Sequence, residues 1–228
     1  MGIERFVVFT GLWPQNVEPE AQPVITAEDF VVCADGGYTV CASLGIKPEA
    51  VIGDFDSLKE EHVCEIERLG VERVVHPHDK DDTDTMLCVK FGIARGYDNF
   101  LIVGGIGGYF GHTMANVQAL SFLTDMECLA EIVTANERLF MVDGETLSVH
   151  RETKPAAPVK FAGQPGAKFS VLSYAERSTG VFIKNAKYEL DDAVLTQSNP
   201  VGVSNEFINV KPVSVSVRYG RLLIIADR

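Results

Sequence analysis

The stretch Val51-Ile52-Gly53-Asp54-Phe55-Asp56-Ser57 sends two carboxylates out of the C-terminal end of a short apolar run. In extended backbone, residues i and i+2 point the same way, so Asp54 and Asp56 are expected on one face, with Phe55 turned back toward the core. Neighbouring carboxylates repel unless a proton or a cation separates them. Beside phosphates the usual cation is Mg²⁺, with its octahedral shell of oxygens. A plainer reading competes, because Ser57 with Glu60 spells a capping box and aspartates before a helix are common turn residues. A second acidic cluster, His78-Asp79-Lys80-Asp81-Asp82-Thr83-Asp84-Thr85, also follows an apolar run and opens a helix. Two acidic strand ends favour chemistry over a single decorated turn.

Further polar groups fall at equivalent places. Asp35 precedes Gly36-Gly37 at the end of another apolar run, where a backbone can pass close to a ligand. Asp81 and Asp84, three apart, are expected on one face of a first helical turn, with Thr83 as its cap. Lys80 is the natural cation for a polyphosphate. The run Gly104 to Gly108 offers backbone N–H groups, at Gly105, Gly107 and Gly108, as a phosphate cradle. It has neither the lysine and hydroxyl of a Walker A motif nor the spacing of a dinucleotide fingerprint. His112 and Asn116, four apart, share a helical face. His76 and His78 have no third metal partner in sequence view, and Trp13 reads as core rather than as a base-stacking platform. Near the C-terminus, Ser204-Asn205-Glu206 follows a turn. If these three face a pocket, a carboxylate beside an amide suits an aminopyrimidine, since one accepts hydrogen bonds and the other does both.

The elements that position these groups follow from hydrophobic rhythm. Strands are expected at Phe6 to Thr10, Phe30 to Ala34, Ala50 to Ile52, Glu72 to His76, Asn99 to Val103 and Ala130 to Thr134. Helices are expected from Gly37 through Leu44, Lys59 to Leu69, Thr83 to Arg95 and His112 to Leu123. This alternation is that of an open, mostly parallel sheet with crossover helices, whose carboxyl edge is where ligands bind. The rhythm then changes. Leu139 to Val142, the Asp143-Gly144 turn and Leu147 to His150 read as a β-hairpin, followed by a connector from Arg151 to Pro158. Alternating segments at Phe169 to Ser173, Val181 to Ile183, Val213 to Val217 and Arg221 to Ala226 then predict an antiparallel β-sandwich. The fold expected is α/β with a C-terminal sandwich, divided into residues 1–140 and 141–228.

At 228 residues the chain can bury a substantial core. Its formal net charge of −12, with no basic stripe, argues against nucleic acid as a partner, and an acidic protein that handles phosphates must bring cations with it. No apolar run approaches a membrane span, and no signal-peptide pattern opens the sequence, so a cytoplasmic location is expected. The five cysteines have no CxxC spacing and read as small buried residues in a reducing compartment.

Five segments in order, Asp35-Gly36-Gly37, Gly53 to Ser57, Lys80 to Thr85, the glycine loop through His112-Thr113-Met114-Ala115-Asn116, and Gly202 to Glu206, closely resemble the thiamin pyrophosphokinase family. The resemblance spans nearly the whole chain. It implies an N-terminal catalytic domain binding ATP and Mg²⁺, a C-terminal thiamin-binding sandwich, and a homodimer with thiamin bound between subunits. The reaction implied is transfer of pyrophosphate from ATP to thiamin with release of AMP. In that setting Asp54, Asp56 and Asp84 are assigned to Mg²⁺, and Asp35 and Asp81 to support of the catalytic site. Lys80, Thr83, Gly105, Gly107, Gly108, His112 and Asn116 are assigned to ATP phosphates, and Ser204, Asn205 and Glu206 to thiamin. One departure stands out, since the usual Arg and Asp of the glycine loop are here Tyr109 and Gly111. A pyrophosphokinase for another hydroxymethyl heterocycle, such as a pterin, and a non-catalytic thiamin-binding protein are the competing readings.

Overall fold

The central apolar runs form a parallel sheet because they are buried on both faces, a situation that requires helices to cover the sheet from either side. The computed structural model describes residues 4–14, 17–79, 81–144 and 158–228. The strands are β1 (Phe6–Phe9), β2 (Phe30–Ala34), β3 (Ala50–Gly53), β4 (Glu72–Val75), β5 (Asn99–Val103) and β6 (Leu129–Val133). They lie in the order β6-β5-β1-β2-β3-β4, each pair parallel. The helices are α1 (Gly37–Ser43), α2 (Glu60–Arg68), α3 (Asp84–Ala94) and α4 (Phe110–Asp125). The last begins two residues before, and ends two residues after, the span expected from periodicity. Close packing has a visible cause in α3, where a Cβ on Gly92 would lie 2.7 Å from the ring of Phe100 and 2.8 Å from that of Phe6. Only a bare backbone lets the helix settle on these two aromatic residues of β5 and β1.

Strand β1 is flanked by β2 on one side and β5 on the other, so successive connections leave it in opposite directions. The carboxyl ends on either side of this switch are where open α/β sheets gather ligands. Asp35 follows β2, Gly53-Asp54 closes β3, the His78 to Asp84 segment follows β4, and the glycine run follows β5.

The chain divides into two compact units, Met1–Ala135 and Asn136–Arg228. The second contains β7 (Glu137–Asp143), β8 (Val159–Phe161), β9 (Lys168–Ser173), β10 (Arg177–Lys184), β11 (Leu190–Thr196), β12 (Asn205–Glu206), β13 (Val213–Ser216) and β14 (Arg221–Asp227). Within this unit β12-β9-β14-β7 and β11-β10-β13-β8 pair antiparallel. Their inner faces share one core, in which Phe161 meets Phe169 at 86° and Phe207 at 88°, edge to face. Period-two patterning is literal in β13, where Val213 and Val215 are buried while Ser214 and Ser216 are not. Among the described residues this unit has no helix. Strand β7 pairs with β14, a pairing joined by a bidentate contact of Arg221 with Asp143 at 2.6 and 2.7 Å. The expected second hairpin strand, Leu147 to His150, lies outside the described residues, as does nearly all of the connector after it.

Candidate active site

The acidic residues converge on the backbone of Gly53. A Cβ there would stand 2.8 Å from the Asp35 Cβ and 3.3 Å from Asp84 Oδ1, so glycine is the residue that lets these two side chains close over the end of β3. Beyond it the chain does not stay extended. Phe55 has φ 65°, a left-handed conformation, and its ring packs against the core of the first unit. The two aspartates are thus brought together by a turn rather than by strand alternation. Asp54 is largely covered, with its side chain 14% exposed, and Asp56 is 56% exposed. The capping box also fails to form, since the N-cap of α2 is Lys59 without a side-chain hydrogen bond. Ser57 instead donates its hydroxyl to Asp56 Oδ1 at 3.0 Å and its backbone N–H to Asp35 Oδ2 at 3.3 Å. The sequence pattern that argued for a plain helix entrance therefore serves the carboxylates.

One carboxylate oxygen each from Asp35, Asp54 and Asp84 lies within 4.8 Å of the others. Asp35 is only 3% exposed, adopts φ 40°, and has a buried Oδ1 with no hydrogen-bond partner. Burial pushes its carboxyl above the usual range; Ser57 opposes this, and the nearby Asp84 and Asp54 charges add to it. An unsatisfied buried polar atom costs roughly 1 to 3 kcal/mol, and more when charged. A hard divalent cation among three carboxylates removes that cost, so the donor set fits Mg²⁺.

A second group shares Asp54. The Nδ1 of His78 lies 2.8 Å from Asp54 Oδ2 and 3.4 Å from Asp56 Oδ2. Local spacing does not reveal the partners of His78, which precede it by more than twenty residues. The signal available was topological: β3 and β4 are neighbours, so the loops leaving them must meet. The backbone N–H of His76 donates to the Gly53 carbonyl at 2.9 Å.

The remaining residues of the acidic segment separate. Helix α3 begins at Asp84, with Thr83 as N-cap accepting from the Met86 N–H at 3.2 Å. Asp81 precedes the helix and is exposed, so it does not share a helical face with Asp84 as spacing suggested. Asp82 pairs with Lys90 at 2.6 Å. Lys80 lies outside the described residues.

The glycine run turns sharply, with positive φ at Gly104, Gly105, Gly107 and Gly108. A Cβ on Gly104 would fall 2.1 Å from the Leu12 carbonyl oxygen, which ties this turn to the loop after β1 at the switch in strand order. Asn116 is buried and donates to the Gly105 carbonyl at 2.7 Å, and Thr113 Oγ1 accepts from Gly107 N–H at 2.9 Å. These side chains brace the loop. His112 is exposed, edge-on to Tyr109, so it and Asn116 have different environments despite their spacing. Tyr109 is 76% exposed, and its ring covers Gly111, where a Cβ would come 2.5 Å from ring carbon Cε1. Trp13 packs against the core, as expected. Of the five cysteines Cys33, Cys41 and Cys88 are buried, but Cys64 is exposed and Cys128 half-buried.

In the second unit, Asn205 is buried at the edge strand β12. Its amide oxygen accepts from Tyr188 N–H at 3.0 Å and Glu206 N–H at 2.8 Å, and its amide nitrogen donates to the Tyr188 carbonyl at 2.7 Å. Glu206 pairs with Lys187 at 2.8 Å, and Ser204 is exposed with φ 60°. No helix among the described residues is long and apolar enough to cross a membrane.

Residues 21–130 match the family model of the thiamin pyrophosphokinase catalytic domain, and residues 159–222 match that of its vitamin B1 binding domain. The chain is 23% identical over 197 residues to thiamine pyrophosphokinase of Bacillus subtilis, covering 86% of each protein. A shorter match, 32% identical over 110 residues, joins 39% of the chain to 42% of thiamine pyrophosphokinase 1 of Oryza sativa. The fold superimposes on the crystal structure of the Bacillus subtilis enzyme with a TM-score of 0.82 at 21% identity, covering 98% of both chains. With one family domain on the parallel-sheet unit and the other on the sandwich, the chain belongs to the thiamin pyrophosphokinase family.

Proposed function

We propose that this chain is a thiamin pyrophosphokinase that uses ATP, moving the β,γ-pyrophosphoryl group to the thiamin hydroxyl and releasing AMP. Family membership supports a diphosphotransferase of this kind. The observation that carries the reading is Asp35, a buried carboxylate with an orphaned oxygen, grouped with Asp54 and Asp84 at the carboxyl edge of the sheet. A structural aspartate so deeply covered would be paired.

Asp35, Asp54 and Asp84, with Asp56 beside them, would hold Mg²⁺. When bound, that cation supplies neutralisation of the phosphate charges as the leaving AMP develops its own. The chain's own groups do the positioning. The backbone of Gly105 and Gly108, in a turn braced by Asn116 and by Thr113, which already takes the Gly107 N–H, cradles phosphate oxygens, with Lys80 as the cationic side chain. The hydroxyl oxygen of thiamin attacks the β-phosphorus, the bond from that phosphorus to the AMP oxygen breaks, and a carboxylate of the acidic group takes the hydroxyl proton. The sandwich, residues 141–228 in our division, is the thiamin-binding domain. Glu206 and Ser204 are its accessible polar groups, whereas Asn205 acts by holding the Tyr188 backbone in place.

We further place the protein in the cytoplasm as a homodimer in which Ser204 to Glu206 of one chain complete the site of the other. Mixing Asp54→Asn chains with Glu206→Ala chains, each inactive, then restores activity; sedimentation showing a fully active monomer at micromolar concentration would exclude shared sites. The reaction itself is tested by measuring AMP release from Mg-ATP with thiamin, with a hydroxymethylpterin and with no acceptor. Release with thiamin alone is expected. Equal release with the pterin points to another acceptor, and binding of thiamin without release points to a non-catalytic protein.

A further inference from the structure

Exposed apolar side chains gather where the glycine run enters α4. Tyr109 and the adjoining Phe110, 72% exposed, stand beside Met114, one helical turn on from Phe110, and Leu12 lies against Gly108, where a Cβ would be 3.3 Å from its Cδ2. The Tyr109 ring is held in place. It lies over Gly111, which leaves room for it only by having no Cβ, and it meets the His112 ring edge-on with centroids 5.5 Å apart. One face is thus set against the helix start while the other is presented to solvent. From Gly104 to Asn116, and from Gly11 to Pro14 in the loop they touch, no residue is Asp, Glu, Lys or Arg. The acidic group lies further along the same edge: a Cβ on Gly11, next to Leu12, would stand 3.7 Å from the carbonyl carbon of Gly36, which follows Asp35.

Charge complementarity decides which flat ligand suits these rings. Aromatic faces are electron-rich, no basic side chain stands among them, and the carboxylates along the edge add negative potential. An anionic ring is repelled there and a neutral one gains apolar coverage alone. A cationic ring gains the same coverage and cation–π attraction besides. Thiamin carries such a ring, its thiazolium, which also bears the hydroxyethyl arm whose oxygen attacks phosphorus. We propose that Tyr109 and Phe110 form a platform that receives the thiazolium ring and so selects cationic acceptors over neutral ones. This rests on reading the chain as a thiamin pyrophosphokinase and adds how it chooses its acceptor. Tyr109 acts through its face rather than its hydroxyl, and Gly111 is a positioning residue that gives the ring its place.

The test compares, by calorimetry on the full chain, the affinities for thiamin and for its uncharged analogue with carbon in place of the thiazolium nitrogen. The native protein, Tyr109→Phe, Tyr109→Leu and Phe110→Leu are measured side by side. Native protein should prefer thiamin about five- to thirtyfold, the range of a cation–π contact withdrawn from water. Leucine keeps apolar bulk and removes the aromatic face, so Tyr109→Leu should cut that preference by about fivefold or more and Phe110→Leu by about twofold or more, while Tyr109→Phe keeps it within about twofold. The ratio of the two affinities is an internal control, since a disturbed loop weakens both ligands alike. Equal losses for both ligands in Tyr109→Leu, no loss, or no preference in the native chain overturn the proposal. So does weaker ATP binding or an altered oligomeric state in place of the lost preference, which would give the patch to the nucleotide or to a second copy of the chain. AMP release from Mg-ATP with thiamin is scored in parallel on the native chain. Its absence with the preference intact counts against the reaction and leaves the platform, whereas release without any preference removes the platform and leaves the reaction.

Discussion

Asp35 in the parallel-sheet unit and Asn205 in the sandwich are both buried polar residues, 3% and 5% exposed, yet their surroundings treat them in opposite ways. Asn205 is saturated at its amide oxygen and clamps the Tyr188 backbone from both N–H and carbonyl sides. Asp35 holds a left-handed backbone and accepts one long bond, while its second oxygen faces no donor. A third residue calibrates the pair. Asp29, also buried, takes two bonds from Arg5 at 2.8 and 2.6 Å and one from Thr26 N–H at 2.7 Å. Depth alone therefore does not leave a carboxylate unsatisfied in this fold. What distinguishes Asp35 is its place at the carboxyl edge, where a polar group held without a partner costs stability and supplies a ligand.

The largest effect expected is at the shared carboxylate. Asp54→Asn preserves shape and removes charge, and AMP release should fall about a hundredfold or more, on the order of 3 kcal/mol of transition-state stabilisation. Near-normal turnover would reduce the edge to a helix entrance. In the sandwich the same kind of truncation should strike stability instead. Asn205→Ala leaves the Tyr188 N–H and carbonyl without their partner and should lower unfolding free energy by about 1 to 3 kcal/mol, read from the denaturant midpoint. A variant of native stability with weakened thiamin binding would show that Asn205 is a ligand after all.

A comparable or smaller change is expected at the departure from the family loop. Tyr109→Arg with Gly111→Asp restores a charge pair, and doing both at once removes the ring that otherwise crowds a side chain at position 111. The KM for thiamin should change about ten- to a hundredfold with kcat held, the worth of one charge-assisted hydrogen bond. A strong change in kcat at constant KM would assign these positions to the catalytic step. The smallest effect concerns Asp29. Burial pushes its carboxyl up, but the Arg5 and Thr26 bonds prevail and hold it below the ordinary range. A depressed carboxyl stabilises the fold above its unfolded value, about pH 4, and that contribution is lost as pH falls through the folded value. Asp29→Asn should therefore flatten the acid limb of the stability profile; an unaltered limb would mean that the Arg5 pair contributes nothing.

Much of this was legible in the chain. Every strand of the first unit could be placed from its apolar run, and Gly53 to Ser57 and Thr83 to Thr85 marked the strand ends that carry chemistry. One miss comes from distance along the chain and the others from local backbone geometry. His78 meets carboxylates 24 and 22 residues earlier, so its spacing matches no local periodicity. The left-handed Phe55 defeated the alternation rule because a bulky residue seldom adopts that conformation. Asp81 lies outside the helix because Thr83 defines its start through one side-chain bond.

The contrast between Asp35 and Asn205 is tested most directly by measuring unfolding free energy and thiamin-dependent AMP release together in Asp35→Asn. Removing a charge that the fold leaves unpaired should cost no more than about 0.5 kcal/mol of stability, within the range of a neutral substitution, while turnover drops about a hundredfold or more. A variant destabilised by well over about 1 kcal/mol yet turning over thiamin normally would show Asp35 to be structural, and the cation site would have to be sought elsewhere.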